Sequence, residues 1–201
     1  MKKKTALNIF DDNALLYEQK YMETPIYDAS YREFLNGITN GGSILELGCG
    51  PGNITRFMHR ERPDLNLLAT DFSEEMIRLA RKNVPDAEFQ VMDAKEVLAI
   101  SSGFDGIVCG FIAPYLTKKE LIKLLSDCKE RLKDNGRLYL SAIEGEYEKS
   151  DWMESSDGKS STFVYLYSED DLRRMLDKHF TDLQMFRIPG DPSHLIFLAT
   201  L

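Results

Sequence analysis

Three glycines alternate at Gly48, Gly50 and Gly52, directly after the apolar run Ile44-Leu45-Glu46-Leu47 and directly before a helical pattern that opens at Asn53. The run predicts a buried strand. The chain must then turn sharply into a helix over backbone that carries almost no side chains. Glycine is required there because φ is positive or because a ligand touches the main chain. In an open α/β sheet such a turn lies at the carboxyl edge of the strands, where ligands bind. The dinucleotide fingerprint is G-x-G-x-x-G. Here the third glycine comes one residue early, as G-x-G-x-G, and an acid, Glu46, stands two residues before the first glycine.

Further acids close later apolar runs. Leu67-Leu68-Ala69-Thr70 ends in Asp71, followed by Phe72 and Ser73. A carboxylate at that place can accept both hydroxyls of a ribose, or it can cap the helix that Glu74 opens. Glu88-Phe89-Gln90-Val91-Met92 ends in Asp93-Ala94, again either a ligand contact or a cap. Phe104-Asp105 introduces a fourth run that ends at Cys109-Gly110-Phe111.

Glu46 with its three glycines resembles motif I of the class I S-adenosylmethionine-dependent methyltransferases, E/D-x-G-x-G-x-G. The four strands, in this order and with these end residues, resemble the same family. The resemblance implies S-adenosylmethionine as cofactor. Glu46, Gly48, Cys49, Gly50, Gly52 and Asn53 would surround its methionine part, with Glu46 serving the ammonium. Asp71, with Phe72 and Met76 beside it, would hold the ribose. Asp93 would meet the adenine amino group and the Ala94 N–H a ring nitrogen, next to Met92. Cys109 and Phe111 would face the reactive methyl. Tyr17 and Tyr21, one helical turn apart, would close over the cofactor or simply pack an amphipathic helix.

Methyl transfer from a sulfonium needs positioning and desolvation first. It needs a base only where the nucleophile holds a proton of high pKa. The sequence therefore names a cofactor and leaves the acceptor atom open among O, N, C and S. His59 sits among Arg60-Glu61-Arg62, His179 closes a helix beside Lys178 and His194 starts the last apolar run. Surface or structural roles suit all three better than catalysis. Ile112-Ala113-Pro114-Tyr115 resembles the Asn/Asp/Ser-Pro-Pro-Tyr/Phe motif of amino-methylating nucleic-acid enzymes but lacks its polar first residue, so that activity is not carried over. Tyr115 is expected in the substrate pocket.

Charge points away from nucleic acid. Lys and Arg number 25 against 33 Asp and Glu, a net charge of −8, with a pI near 5.0. A phosphate-binding surface needs a basic face, and Lys2-Lys3-Lys4 is the longest basic run, at an end expected to fray. The acceptor is expected to be a small molecule. No apolar run approaches a membrane span. The apolar stretch behind Met1-Lys2-Lys3-Lys4 ends at Phe10 before Asp11-Asp12, too short for a signal peptide. Three cysteines, Cys49, Cys109 and Cys128, match no zinc spacing and suit a reduced cytoplasmic protein with no metal. Cys49 and Cys109 would end neighbouring strands, as small residues in the ligand floor or as a thiol pair.

Positioning these residues takes alternating elements. With 43% hydrophobic and 29% charged residues, 201 residues suffice for one core. Residues 12–40 carry one or two helices. Strands and helices then alternate over 44–48, 53–61, 66–71, 74–83, 88–92, 105–109, 118–132 and 137–143, with Gly136 as a turn signal. A helix over 168–178 starts at Ser168 with Asp171 three residues on. Runs 183–188 and 194–200, joined by Pro189-Gly190-Asp191-Pro192, predict an antiparallel pair. The expected fold is α/β: a doubly wound, Rossmann-like methyltransferase sheet of seven strands in order 3-2-1-4-5-7-6 with strand 7 antiparallel. Residues 1–40 would form a helical cover and 41–201 the methyltransferase domain. The polar segment 144–160 holds Glu144, Glu146, Glu148, Asp151, Glu154 and Asp157 with Tyr147 and Trp152 among them. It reads as a solvated loop, or as a lid whose aromatics and acids bind a small, cationic substrate. A protein or RNA methyltransferase, a silent cofactor-binding sensor and, less favoured by the glycine spacing, a nicotinamide oxidoreductase are the rival readings.

Overall fold

A computed structural model describes residues 2–155 and 158–201; Asp157 of the acidic segment lies outside the described residues. The central sheet has seven strands: β2 (Ser43–Leu47), β3 (Asn66–Asp71), β4 (Glu88–Val91), β5 (Phe104–Cys109), β6 (Leu132–Ile143), β9 (Thr181–Ile188) and β10 (His194–Thr200). Their order is β4-β3-β2-β5-β6-β10-β9. The pairs β4–β3, β3–β2, β2–β5 and β5–β6 are parallel, and β10 runs antiparallel to both β6 and β9. This is the expected 3-2-1-4-5-7-6 sheet. Four of the five residues of β2 are buried, as befits a strand covered on both faces.

The crossover helices are bounded by local chemistry. In α4 (Glu74–Asn83) the Ser73 hydroxyl accepts from the Met76 N–H, acids fill the first turn, and Arg81 and Lys82 the last. α5 (Lys118–Arg131) opens with a Thr117/Glu120 capping box. Ser168 caps α6 (Glu169–Leu176) through the Asp171 N–H. The turn expected at Gly136 is a bulge inside β6: register passes from Phe104↔Leu132 to Gly106↔Arg137, and Asn135 takes the positive φ of 60°.

Three expectations are corrected. The helix of the N-terminal segment begins at Ala6, not near residue 12: α1 covers Ala6–Tyr21 and α2 Asp28–Asn36. Tyr31, Phe34 and Leu35, with Tyr27 just before them, pack with Ile44, Val108 and Tyr139 of the sheet, so α2 belongs to the core on one face of it. Segment 144–160 is not an open loop. Tyr147–Lys149 make a 3₁₀ turn, and β7 (Asp151–Glu154) pairs with β8 (Ser160–Val164). The basic end is not frayed either: β1 (Lys2–Lys3) joins β8 in parallel, giving a second sheet of order β1-β8-β7. Among the described residues no helix is long and apolar enough to cross a membrane.

Candidate active site

All three glycines of the turn take positive φ: 69° at Gly48, 54° at Gly50 and 86° at Gly52. A Cβ on Gly48 would come within 2.2 Å of Ile112 Cγ2, and one on Gly52 within 3.3 Å of the Ala80 Cα. Gly52 is the N-cap of α3 (Asn53–Glu61), pressed against α4. Gly48 and Gly50 instead face a cavity of about 430 Å³ at the carboxyl ends of β2, β3, β4 and β5.

Asp71 lines that cavity and ties the turn to β3. One carboxylate oxygen accepts the Gly50 N–H at 2.9 Å and the other the Ser73 N–H at 2.9 Å. Burial pushes its pKa up to about 6 against the pull of these N–H groups. The cap of α4 is Ser73, so Asp71 is not needed for it. Asp93 lines the cavity beside Met92 and Ala94, and it also caps the next turn by accepting from the Lys95 N–H.

The roof is α1. Thr5, Ala6, Leu7, Phe10 and Tyr17 face the cavity. Phe10 sets its ring edge-on to Tyr17 at 5.7 Å and to Tyr115 at 5.1 Å, and lies 6.1 Å from the Phe72 ring. Polar ties hold the roof down: Ser73 Oγ donates to the Asp11 carboxylate, and Asn83 donates both to Glu18 (2.7 Å) and to the Pro51 carbonyl (2.9 Å). Helix α1 kinks at Asn13, whose side-chain amide donates to the Ile9 carbonyl. Phe111 closes the cavity beyond β5. Its φ of 55° is strained for a phenylalanine, and its N–H donates to Ser141 Oγ at 2.7 Å. The ring rests on Tyr27 and His194, which are bonded to each other at 2.6 Å. His194 is thus a packing partner behind the cavity wall.

Of the residues expected around the cofactor, Tyr17, Gly48, Gly50, Asp71, Phe72, Met76, Met92, Asp93, Ala94 and Phe111 converge on this cavity, with Tyr115 of the expected substrate set. The others stand elsewhere. Glu46 is 1% exposed and sits behind the turn. Its Oε2 accepts the Thr55 hydroxyl at 2.5 Å while Oε1 has no partner. Burial, and Asp71 close by, push its pKa up to about 8 against the Thr55 hydrogen bond. Cys49 packs with Ala69, Ile77 and Ala80, and Cys109 lies in the larger core next to Cys128. Neither forms the ligand floor, because strand-end side chains alternate away from it. Asn53 faces a smaller groove beside Arg56. Tyr21 lies against Tyr17, ring to ring at 4.5 Å, outside the lining.

Tyr147 and Trp152 are also outside. Tyr147 stacks on Tyr165 at 5.5 Å and Trp152 meets Phe163 at 5.8 Å, with the Lys3 ammonium 4.4 Å above the indole. The place in the pocket expected of them is corrected: cross-strand and cation–π packing in the small sheet holds the Trp152 ring, while Tyr165 and the Lys118 ammonium, 4.4 Å from its centre, hold that of Tyr147. Missed from sequence were Leu7, Phe10, Lys95, Ile112 and Leu116. Phe10 was legible, seven residues before Tyr17 on the same helical face.

Residues 44–136 match the family model described as a methyltransferase domain. That stretch is a little under half of the chain, and over it the chain is similar to methyltransferase domains. It is 31% identical over 101 residues to the demethylmenaquinone methyltransferase of Thermotoga maritima, covering 50% of this chain and 43% of that protein. The match thus spans less than half of that relative. Among solved structures, the N-methyltransferase NodS of Bradyrhizobium japonicum, in complex with S-adenosylhomocysteine, superposes with TM-score 0.74 at 14% identity over 98% of each chain. The magnesium protoporphyrin IX methyltransferase of Synechocystis gives TM-score 0.74 at 14% identity over 96% of each. At such identities these likenesses speak for the fold.

Proposed function

We propose that this chain transfers a methyl group from S-adenosylmethionine to a small-molecule acceptor. The observation that carries this reading is the convergence of Gly48, Gly50, Asp71 and Asp93-Ala94 on one cavity roofed by α1. The residues present fit the cofactor. Each Asp71 oxygen accepts one backbone N–H and keeps capacity for a second hydrogen bond, which suits the paired hydroxyls of a ribose. Gly50 presents bare backbone where Tyr17 Cε1 lies only 3.6 Å from the position of a Cβ. When bound, the sulfonium supplies an already activated methyl.

The chain's task is then to hold, orient and dry. Asp93 and the Ala94 N–H orient the base. Gly48 and Gly50 let the main chain approach the methionine part. Phe10, Tyr17 and Tyr115 exclude water, which strengthens the polar contacts that remain. Glu46, hidden behind the turn, acts on the shape of the turn through Thr55 and not by direct contact. Titration calorimetry with S-adenosylmethionine, S-adenosylhomocysteine and NAD tests the cofactor. Binding of NAD alone overturns the reading. Transfer of labelled methyl to a metabolite pool tests the activity, and binding without transfer supports a silent sensor instead.

A further inference from the structure

We infer that Tyr27, Ser141 and His194 are positioning residues that fix the Phe111 ring as a wall of the cavity. None of the three lines the cavity, yet its fit to the ligand depends on them; this rests on the methyltransferase reading above. Among the described residues, Phe111, Asn135 and Asp182 take positive φ without being glycine. Asparagine and aspartate tolerate that region, whereas a bulky ring is an outlier there. Such strain persists only where the surroundings over-determine it, and it gathers at functional sites. Of these three residues only Phe111 lines the cavity.

The groups that hold Phe111 come from three distant parts of the chain. Ser141, fully buried on β6, accepts its N–H at 2.7 Å. Tyr27 closes a 3₁₀ turn, Pro25–Tyr27, just before α2, and His194 opens β10. Both rings meet the Phe111 ring edge-on, at 5.2 Å and 5.1 Å. The Tyr27 hydroxyl and His194 Nδ1 are 2.6 Å apart. Burial pushes the Tyr27 phenol up to about 12 and holds the His194 imidazole below its ordinary value. At neutral pH a neutral imidazole therefore accepts from the phenol. Tyr27 is anchored in turn: its carbonyl accepts the Ser30 hydroxyl at 2.7 Å, and that hydroxyl lies 3.1 Å from the Tyr139 hydroxyl on β6. Packing alone would be served as well by an apolar pair of the same shape. The hydrogen bond adds direction: it fixes two ring planes and, through them, the place of a third. A misplacement of about 1 Å at a reacting site costs a factor of roughly 100 in rate.

The test uses the full chain, titrated with S-adenosylhomocysteine by calorimetry, while NMR follows hydrogen exchange at the Phe111 amide. Tyr27→Phe removes one hydroxyl and leaves His194, itself half-buried, within reach of water. Its melting temperature should stay within about 3 °C of wild type. Its affinity for S-adenosylhomocysteine should fall roughly fivefold or more, the scale of one lost hydrogen bond. The Phe111 amide, which Tyr27 does not itself bond, should exchange several-fold faster in this variant. Ser141→Ala should weaken binding likewise. His194→Asn keeps an acceptor for the phenol and should recover most of the affinity that His194→Leu loses. A merely structural role would lower the melting temperatures and leave affinity unmoved, and that result overturns the inference. So does equal affinity in the two His194 variants. A wild type that binds no S-adenosylhomocysteine overturns the cofactor reading instead; the wall is then judged on the Phe111 amide of Tyr27→Phe, where unchanged exchange overturns it.

Discussion

Glu46→Gln should change how stability depends on pH. The Glu46 carboxyl is 1% exposed, holds one hydrogen bond from Thr55 and leaves Oε1 without a partner. Burial raises its folded pKa to about 8, against roughly 4.3 in an unfolded chain. The native state therefore keeps a proton that the unfolded chain has released. A raised carboxyl pKa means that its stabilising contribution is full below the unfolded value and is lost as pH rises through the folded one. One proton is worth about 1.4 kcal/mol per pH unit. Between pH 6.5 and 8 the cumulative loss is about 1.5–2 kcal/mol, because the last half-unit counts only in part. Glutamine keeps an oxygen for Thr55 and cannot ionise, so this component should vanish. Urea unfolding of both proteins at pH 6.5, 7, 7.5 and 8 measures it, and taking the difference cancels the histidines and cysteines. The wild type should lose stability more steeply than the variant by that amount. Parallel pH dependences would refute the argument and imply that Glu46 is already ionised or is reached by water.

Three further outcomes are expected. Asp71→Ala should weaken S-adenosylmethionine by roughly 1–3 kcal/mol in calorimetry and Asp71→Asn by less, since one acceptor oxygen remains; intact affinity with only a lower melting temperature would make Asp71 a purely structural tie for Gly50. Gly48→Ala, placing a Cβ 2.2 Å from Ile112 at a φ of 69°, should cost about 2 kcal/mol or more in urea unfolding, and near-wild-type stability would show that the turn is pliant. Trp152→Ala should leave cofactor affinity unchanged within about twofold while lowering the melting temperature by a few degrees through lost packing on Phe163 and Lys3; a large loss of affinity would return this segment to the site.

Much of the fold was legible because its signals are local. The central-sheet strands are short apolar runs, and their boundaries carry Ser73, Thr117 and Ser168 as caps and Gly48, Gly50 and Gly52 as turn residues. Backbone chemistry of this kind acts over a few residues, so it survives without knowledge of the partners. Asp71 and Asp93 were legible for the same reason, since the end of a parallel strand fixes which edge a residue reaches. Glu46 shows the limit. Its place in the motif was plain, but strand alternation turned it inward onto Thr55, and only the packing of α3 on β2 decided that. The polar run 144–160 and the basic end looked solvated because composition averages over residues. Their strand pairing joins Lys2–Lys3 to Ser160–Ser161 across most of the chain, a contact with no local signature. The aromatic roof is in part of the same kind: Phe10 and Tyr17 share one face of α1, but Phe72 and Tyr115 stand far from them in sequence, and burial of these rings against one another brought them over the glycine turn. Sequence determined the elements and the edge of the sheet at which chemistry can occur; long-range apolar packing, which no local pattern encodes, decided which side chains meet there.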